Sequence, residues 1–454
     1  MKLVLACWLL VCGLCVTSIA ADANSWKAGL GDVVITPEQS MWLAGFAGRT
    51  KPAEGTLSDL HAKSLALEDG EGHRCVIVTL DLIGIPRMLR DEVTQIVEQK
   101  RKLPPSAVLF NVSHTHSGPV VRDKIETSVI YDLDAEQGRR VEAYYVTLRE
   151  KLVLSIEKAL DDLKPAKLGH SHARCGFSMN RRLPSEKGPQ NSPYPDGPVD
   201  QSVPVLRVDT PEGKLRGVLF GYACHNTSLV AGNYKFAGDY AGFAQEELEA
   251  ALSGVQAMFL MGCGGDQNPY PRGPEEAWSR QHGKSLAHSV QAALLPTSKP
   301  ISGSLRAVLK DVELEFEPLN KADIATMTQS KDPYEKRRAG FLLKEIGDRD
   351  VLKKTYAYPV QVIDLGSDVT LVALAGEVVV DYSLRLKREI TGKTVWVAGY
   401  SNDVFAYIPS VRVLKEGGYE GGGAMRYFNL PGPFTPTVEE RIVNQVHALL
   451  KPAK

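Results

Sequence analysis

The segment 75–83 (CVIVTLDLI) constrains the fold most, because it is a nearly continuous apolar and β-branched run. Such a run is typical of a strand that is buried on both faces of its sheet. Apolar residues recur at helical spacing over 86–103, and the segment 107–112 (AVLFNV) predicts a second buried strand. Two buried strands joined through a helix form a parallel crossover, which indicates an α/β protein.

The remaining segments add helices and antiparallel hairpins. Turn residues separate two pairs of predicted strands, 205–208 from 215–222 and 358–364 from 369–375. Further strands are predicted over 257–260 and 394–398, and helices over 135–163, 241–251, 275–295, 378–390 and 438–450. The predicted fold class is therefore α/β, with mixed sheets, parallel crossovers, antiparallel hairpins and helices packed around them.

Two segments stand apart from the alternating strands and helices of the predicted fold. The Pro- and Gly-rich segment 183–199 is expected to be a long irregular loop, either a lid over a site or a tolerated insertion. The charged segment 321–354 is expected to be a helical insertion or a cap over the site.

The N-terminal segment 1–23 has the order of a secretory signal. Lys2 precedes an apolar run over 3–16, and small residues follow over 18–23. The run is short for a membrane span, although an uncleaved anchor remains the alternative. We therefore expect a signal peptide over 1–23, one domain over 24–454, and a secreted or periplasmic protein.

The net charge bears on which partners the protein can bind, and the cysteines bear on its disulfide bonds. The formal net charge of −1 gives no electrostatic reason to expect nucleic acid or an anionic membrane surface as a partner. The expected mature chain keeps Cys75, Cys175, Cys224 and Cys263. Four cysteines allow three pairings, and the alternative is that they are small buried apolar residues.

Polar clusters follow several predicted strands, where α/β sheets place their ligands. His114 and His116 follow the strand 107–112, and residues two apart in a strand point to one face. Both imidazoles could therefore bind one metal, although an isolated His-x-His is weak and two hydrogen-bonded histidines are the alternative. His225 lies in the same kind of position after the strand 215–222, where a satisfied core histidine is the alternative.

Other clusters are less specific. The segment 262–269 (GCGGDQNP) is either a tight turn or a place where glycines let backbone approach a ligand. Glu377 follows an apolar strand at the start of a predicted helix, a position that favours a carboxylate even without a metal. Tyr407, Tyr419 and Arg181 lie in or beside loops, where such residues are usually rim or surface side chains.

Taken together and in order, these clusters resemble the neutral/alkaline ceramidase family in its catalytic region, over about residues 29–423. The most specific match is the segment 113–119 (SHTHSGP); the segments 29–37 (GLGDVVITP) and 45–47 (GFA) resemble the opening patterns of that family. The resemblance implies that Zn²⁺ is held by His114, His225, Glu377 and Tyr407. It makes His116 a catalytic or substrate-contacting histidine rather than a ligand.

The same resemblance gives Tyr419 the role of polarising the substrate carbonyl and Arg181 that of holding the reacting group. It implies an exported amidohydrolase that cleaves the N-acyl amide of ceramide, or a related lipid amide, into a fatty acid and an amine. Such a substrate is a small lipid, so contact with a membrane surface is also expected. The immunoglobulin-like module that follows the family's catalytic region is expected to be absent.

One position departs from the family pattern. Asn268 stands where the family has a catalytic serine, in the segment 265–270 (GDQNPY). An amide side chain cannot act as a nucleophile, but it could donate a hydrogen bond to a substrate. A zinc hydrolase of the same scaffold that acts on a different amide or ester, and a non-catalytic binding protein, therefore remain alternatives.

Overall fold

The computed structural model describes residues 25–451, in which strands and helices alternate along the chain. The strands are β1 Trp26–Val34, β2 Gly55–Thr56, β3 His61–Glu68, β4 Arg74–Leu80, β5 Val108–Val112, β6 Lys164–Arg174, β7 Ser178–Leu183, β8 Gln190–Tyr194, β9 Ser202–Asp209, β10 Leu215–Tyr222, β11 Lys235–Phe236, β12 Gln256–Met261, β13 Gln267–Pro269, β14 Lys299–Pro300, β15 Leu305–Glu315, β16 Leu319–Asn320, β17 Val351–Leu352, β18 Thr355–Leu365, β19 Val369–Leu374, β20 Glu377–Val378, β21 Thr394–Ala398 and β22 Tyr407–Ile408. The α-helices are α1 Arg87–Arg101, α2 Ala135–Asp161, α3 Asp239–Ala251, α4 Glu276–Leu294, α5 Lys321–Met327, α6 Pro333–Ile346, α7 Val380–Glu389, α8 Val411–Glu416 and α9 Val438–Leu450. Short 3-10 helices cover Pro105–Ala107, Ile125–Thr127 and Gly423–Tyr427.

The largest sheet has the strand order β12-β10-β9-β6-β1-β3-β4-β5, with β14 pairing on β6. Its two end pairs, β4 with β5 and β10 with β12, are parallel, and the pairs between them are antiparallel. A second sheet has the order β15-β18-β19-β21, in which β19 and β21 are parallel. Parallel pairs place the carboxyl ends of their strands at one edge, which is where polar clusters follow β5, β10, β12 and β21.

The side chain of Asn111 joins these strand ends to one another. Its Oδ1 accepts a hydrogen bond from the Met261 backbone N–H at 2.7 Å, and its Nδ2 donates to the Gly399 carbonyl at 2.8 Å. Asn111 lies in β5, Met261 ends β12, and Gly399 directly follows β21. Because Asn111 is fully buried, these bonds form without competition from water and hold both sheets in register at the edge that carries the site.

Helix α2 covers one face of the large sheet at unusually short range. A Cβ atom at Gly29 would come within 2.0 Å of the Ala159 carbonyl oxygen, and one at Gly31 within 2.3 Å of the Ser155 carbonyl oxygen. Glycine at both positions of β1 therefore permits this backbone-to-backbone packing. Ser155 also donates from its hydroxyl to the Ala62 carbonyl at 2.9 Å, which ties the helix to β3.

The structure confirms the predicted fold class and most of the predicted elements. The strands predicted from apolar runs, both hairpins and the long helices are present, and their ends differ from the predicted ones by a few residues. The prediction of an irregular loop over 183–199 is wrong in part, because β8 lies inside it and pairs antiparallel with β7. The charged segment 321–354 is helical as expected and contains α5 and α6 around a small apolar cluster of its own.

The described part of the chain shows the state of the four cysteines and whether any helix could cross a membrane. Cys75, Cys175, Cys224 and Cys263 are all buried free thiols, in agreement with the alternative to disulfide bonding. Across residues 25–451, none of the helices combines the length and the apolar character that a bilayer crossing requires. The predicted signal segment 1–23 lies outside the described residues.

Candidate metal centre

His114 leaves β5 through a turn rather than along the strand. Its backbone has φ 58°, a left-handed conformation that non-glycine residues rarely adopt. The prediction that strand alternation aligns His114 with His116 is therefore wrong, because β5 ends at Val112. The turn nevertheless brings both rings to one place, and the Nδ1 atom of His114 donates to the Ile83 carbonyl at 2.6 Å.

His225 is fixed on both its backbone and its ring. Its backbone N–H donates to the Gln267 carbonyl at 2.8 Å, and its Nδ1 atom donates to the Gly264 carbonyl at 2.8 Å. A Cβ atom at Gly264 would lie 2.8 Å from the Cys224 backbone nitrogen. The glycines of the segment 262–265 thus allow close approach between protein segments that position the site.

Glu377 and Tyr407 are neighbours across a short parallel pair of strands. Strand β20 pairs with β22, and Glu377 lies opposite Tyr407 in that register. Gly376, directly before Glu377, has φ 74°, and a Cβ atom there would come within 2.7 Å of the Ala406 carbonyl oxygen. The local sequence therefore sends a carboxylate and a phenol from adjacent strands into the same space.

The four side chains converge within a few ångströms. The Nε2 atom of His114 lies 3.2 Å from that of His225 and 3.1 Å from Oε2 of Glu377. The Nε2 atom of His225 lies 3.3 Å from Oε2 of Glu377 and 3.3 Å from the Tyr407 hydroxyl. Ligands about 2.0–2.1 Å from a tetrahedral zinc ion are themselves about 3.3 Å apart, so these spacings fit such an ion.

The hydrogen-bonding chemistry of the cluster also fits a cation. Each of the two rings donates its Nδ1–H to a carbonyl, so the neutral tautomer leaves Nε2 as an acceptor. Oε2 of Glu377 is buried and has no hydrogen-bond partner among the described residues. One proton could join only two of these acceptors, whereas one divalent ion satisfies all of them.

The surroundings keep His225 neutral and Glu377 ionised, which are the states in which these two groups can bind a metal. Burial lowers the pKa of His225 to about 3, with Arg181 adding to the decrease. Burial would raise the pKa of Glu377, but the rings of His114 and His225 outweigh it, and that pKa lies well below its ordinary value. Burial and Glu377 raise the pKa of Tyr407, against the opposing charge of Arg181.

His116 is close to the same point but is held differently. Its Nε2 atom lies 3.3 Å from that of His114, and the three histidines together form a geometrically suitable metal cluster. Its Nδ1 atom, however, is buried without a hydrogen-bond partner among residues 25–451, unlike the Nδ1 atoms of His114 and His225. Because metal-bound histidines almost always donate their other N–H, this contrast favours His116 as a substrate-side group.

A buried ion-pair network supports the Tyr407 side of the site. Arg181 donates from Nη2 to the Tyr407 hydroxyl at 3.0 Å and from Nη1 to Oδ1 of Asn268 at 3.2 Å. Its Nε donates to Glu420 at 2.7 Å, and Arg182 donates to the other Glu420 oxygen at 2.5 Å. Glu420 therefore anchors two buried guanidinium groups, which positions Arg181 toward Tyr407.

The site opens into a cavity of about 340 Å³, which includes His114, His116, Glu377, Tyr407 and Tyr419 in its wall. That volume is at the lower end of the range of about 300–1,000 Å³ that is usual for small-molecule sites. The Tyr419 ring lies 5.3 Å from that of Tyr407, and burial raises the Tyr419 pKa. Tyr419 therefore presents a protonated hydroxyl group that can donate a hydrogen bond into the cavity.

Further residues shape the cavity wall away from the metal centre. Most are apolar or aromatic, as is usual for small-molecule sites, while a few are charged. They include Ala44, Ile83, Val120, Val121, Val129, Ile130, Phe405, Phe428 and Leu430, together with Arg87, Arg122 and Asp403.

The structure thus places all eight sequence-predicted site residues around one centre. Sequence reasoning did not identify three others that support it. Glu420 holds Arg181, and the Tyr400 ring lies 4.5 Å from that of His114. Gly45 packs on His116, where a Cβ atom would come within 2.5 Å of Nδ1. Gly45 lies in the segment 45–47 that resembles an opening pattern of the ceramidase family, but sequence reasoning assigned no site role to any of the three.

Comparison with protein families gives a match over more than half of the chain. The family model described as neutral/alkaline non-lysosomal ceramidase, N-terminal, matches residues 26–293 of this chain. That range contains His114, His116, Arg181, His225 and Asn268.

Curated relatives share part of the chain. Neutral ceramidase of Pseudomonas aeruginosa is 27% identical over 274 residues, which are 58% of this chain and 40% of that protein. Neutral ceramidase B of Dictyostelium discoideum is 24% identical over 266 residues, which are 55% of this chain and 36% of that protein. The matched region therefore spans two fifths or less of these relatives' own length.

Solved structures share the fold over nearly all of the chain. The crystal structure of neutral ceramidase from Pseudomonas aeruginosa superposes with a TM-score of 0.71 at 20% identity, covering 93% of this chain and 73% of that one. A structure described as ceramidase complexed with C2 gives a TM-score of 0.70 at 19% identity, covering 95% of this chain and 76% of that one.

Proposed function

This chain belongs to the neutral/alkaline non-lysosomal ceramidase family, and we propose that it is a zinc-dependent amidohydrolase acting on the N-acyl amide of ceramide or a related lipid amide. The products would be a fatty acid and an amine. One observation carries the proposal: donor atoms of His114, His225, Glu377 and Tyr407 meet at the spacing of zinc ligands, at the end of a partly apolar cavity.

His114, His225, Glu377 and Tyr407 would hold the zinc ion. When bound, zinc acts as a Lewis acid on the carbonyl group and lowers the pKa of water from about 15.7 towards 7. The hydrogen bonds from Nδ1 of His114 and His225 to backbone carbonyls fix the two rings. The Nε2 atom of each ring therefore stays directed at the metal position.

Two protein groups would serve the reacting amide itself, and a third would position residues beside it. Tyr419 would donate its hydroxyl hydrogen to the oxygen that gains negative charge during attack. His116, whose pKa burial lowers well below its ordinary value, would accept a proton and deliver it to the leaving amine. Arg181 would keep Tyr407 and Asn268 in place, since it bonds both.

Asn268 favours a second candidate function, hydrolysis of a different substrate at the same metal site. Its Oδ1 accepts from Arg181, and its Nδ2 donates to Asn191 at 3.3 Å. This position therefore supplies a hydrogen-bonding amide but no hydroxyl nucleophile. A different amide or ester substrate is the alternative that this difference supports.

The direct test combines metal analysis with product analysis. We expect one zinc ion per purified chain, together with fatty acid release from N-acylsphingosine. Release only from short N-acyl amides or esters would support the alternative substrate class. Bound zinc without turnover of any of these compounds would contradict both candidates and favour a binding protein.

We also infer export from the composition of residues 1–23. Expression of the full chain in a bacterium with cell fractionation, followed by N-terminal sequencing, would test this inference. An N-terminus between residues 21 and 24 on periplasmic or secreted protein is the expected result. An intact Met1 on cytosolic protein would contradict it.

A further inference from the structure

Two arginines line the cavity beside the metal centre, and they differ in what neutralises them. Arg87 donates to Asp403 at 3.1 Å and to Asp311 at 3.2 Å, and it also bonds the Ala357 carbonyl. Arg122 is only partly exposed, yet it has no hydrogen bond or ion pair with any side chain or carbonyl within residues 25–451. Arg122 therefore brings an uncompensated positive charge to the cavity wall.

Arg122 lies on the His116 side of the cavity. Val120, two residues before Arg122, is fixed by a hydrogen bond from its N–H to the Trp42 carbonyl at 3.0 Å. The charge of Arg122 acts on the nearby Tyr131, opposing the rise in the Tyr131 pKa that burial causes. The Tyr131 hydroxyl accepts from the Gly45 N–H at 3.2 Å, and Gly45 packs directly against the His116 ring.

The neighbouring acid does not neutralise Arg122. Burial has the largest effect on the Arg122 pKa and lowers it, against smaller increases from the charges of Tyr131 and Asp123. The two side chains form no ion pair within 4 Å in the described structure. The guanidinium thus remains available to a ligand, with donors in a planar fork that fits a carboxylate or phosphate.

The cavity wall around Arg122 suits an anionic lipid better than a neutral one. Val120, Val121, Val129 and Ile130 line the cavity around Arg122, so an acyl chain bound there removes water from the charge. Removing water from an unpaired guanidinium is costly, whereas an anionic partner with direct hydrogen bonds offsets that cost. The arrangement favours a ligand with a negative charge near one end of the reacting amide.

We propose that Arg122 is a specificity-determining residue that pairs with an anionic oxygen group of the substrate, a carboxylate or a phosphate. This inference rests on the proposed amidohydrolase function and narrows its substrate class to anionic N-acyl amides. The carboxylate of an N-acyl amino acid and the phosphate of a phosphorylated ceramide both supply the required chemistry.

The test compares three amides with the same acyl chain: N-palmitoylglycine, ceramide 1-phosphate and neutral ceramide. For the wild-type protein, we expect kcat/KM to be about 10- to 100-fold higher for one anionic amide than for neutral ceramide. The anionic amide that is favoured identifies carboxylate or phosphate as the source of the charge. Arg122→Gln should abolish this preference by reducing only the anionic rate, while Arg122→Lys should retain part of it.

Asp123→Asn is the matched control, since it changes the adjacent charge but leaves the guanidinium in place. It should keep the preference, and all variants should keep the wild-type zinc content. Equal effects of Arg122→Gln on neutral and anionic amides, or a wild-type preference for neutral ceramide, would overturn the inference while leaving the amidohydrolase proposal intact.

Absence of turnover on every amide would contradict the proposed function, and binding then tests Arg122 separately. Calorimetry would compare N-palmitoylglycine with uncharged N-palmitoylethanolamine on the wild-type protein and Arg122→Gln. Tighter binding of the glycine compound only in the wild type supports the inference. Equal affinities for the two compounds in both proteins would refute it.

Discussion

The Nε2 atoms of His114 and His225 lie 3.2 Å apart, although neither ring can donate to the other in its neutral form. Each ring already donates Nδ1–H to a backbone carbonyl, Ile83 for the first and Gly264 for the second. Two facing lone pairs at this distance are unfavourable unless a cation lies between them. The surrounding protein therefore holds the two rings in the arrangement that a metal stabilises.

Replacing either ring should remove the metal. We expect His114→Ala and His225→Ala each to lower the zinc content from about one ion per chain to near zero, because a bound ion would lose one of its few protein ligands. Elemental analysis after gel filtration measures the change. His170→Gln, on the partly exposed strand β6, is the control and should keep full occupancy. Full zinc content in both alanine variants would place the metal elsewhere.

His116→Ala should separate metal binding from turnover. The unpartnered Nδ1 of His116 argues against a ligand role, so we expect zinc content to stay near the wild-type value. Amide hydrolysis should fall by about 10²- to 10⁴-fold, the usual contribution of a positioned general acid or base. Loss of zinc in this variant would instead support the interpretation, open from the sequence alone, that both His114 and His116 are ligands.

The fold was predictable where burial leaves a simple pattern in the sequence. Strands β4, β5, β10 and β12 are nearly all apolar, so their runs identify them. Strand β6 alternates charged, polar and small residues, and β8 consists of five polar, proline and tyrosine residues. Neither has an apolar run, and pairing with neighbouring strands rather than composition defines them.

The site was predictable to the extent that its residues sit in local motifs. His114 and Glu377 follow recognisable strand ends, but strand alternation did not explain the first, because its φ of 58° belongs to a turn. Glu420 stands beside Tyr419 in the sequence, but nothing in that local sequence indicated a role for it. It contacts Arg181 across 239 positions of sequence, and only the folded chain brings the two together.

Glu420→Ala should destabilise the whole protein. It would leave Arg181 and Arg182 as buried guanidinium groups without their shared carboxylate, for which we expect a loss of about 3–5 kcal/mol in the free energy of unfolding. Urea unfolding measures the change. Glu416→Ala removes a carboxylate that also pairs with Arg182 but is 37% exposed, and it should cost less than about 1 kcal/mol. Similar losses in both variants would show that the burial of Glu420 is not the cause.

Asp266 should make stability depend on pH. Burial raises the pKa of its carboxyl from 3.8 to about 7, so between these values the folded protein binds a proton that the unfolded chain releases. Stability from this group is therefore complete below about pH 4 and is lost as pH rises through about 7. Compared with Asp266→Asn, the wild type should lose on the order of 2–4 kcal/mol between pH 5 and pH 8.

Urea unfolding of both proteins at the two pH values measures this difference. The side-chain amide of the Asp266→Asn variant would retain an oxygen to accept the Val380 N–H, which Asp266 accepts at 2.8 Å. Titrating groups that do not interact with Asp266 contribute equally to both proteins and cancel in the comparison. Parallel changes in the two proteins would show that Asp266 is ionised in the folded state even at pH 5.

Gly45 and Gly48 give a matched pair for testing the support of His116. Gly45 has φ 94°, and a Cβ atom there would meet the His116 ring at 2.5 Å, whereas a Cβ atom at Gly48 would meet nothing within 4 Å. Gly45→Ala should displace the ring and lower kcat by at least about 10²-fold, since a displacement near 1 Å can cost that much. Zinc content should be unchanged, because the rings of His114 and His225 are held by other contacts. Gly48→Ala should match the wild type in both rate and zinc, and an equal rate loss in the two variants would refute a specific role for Gly45.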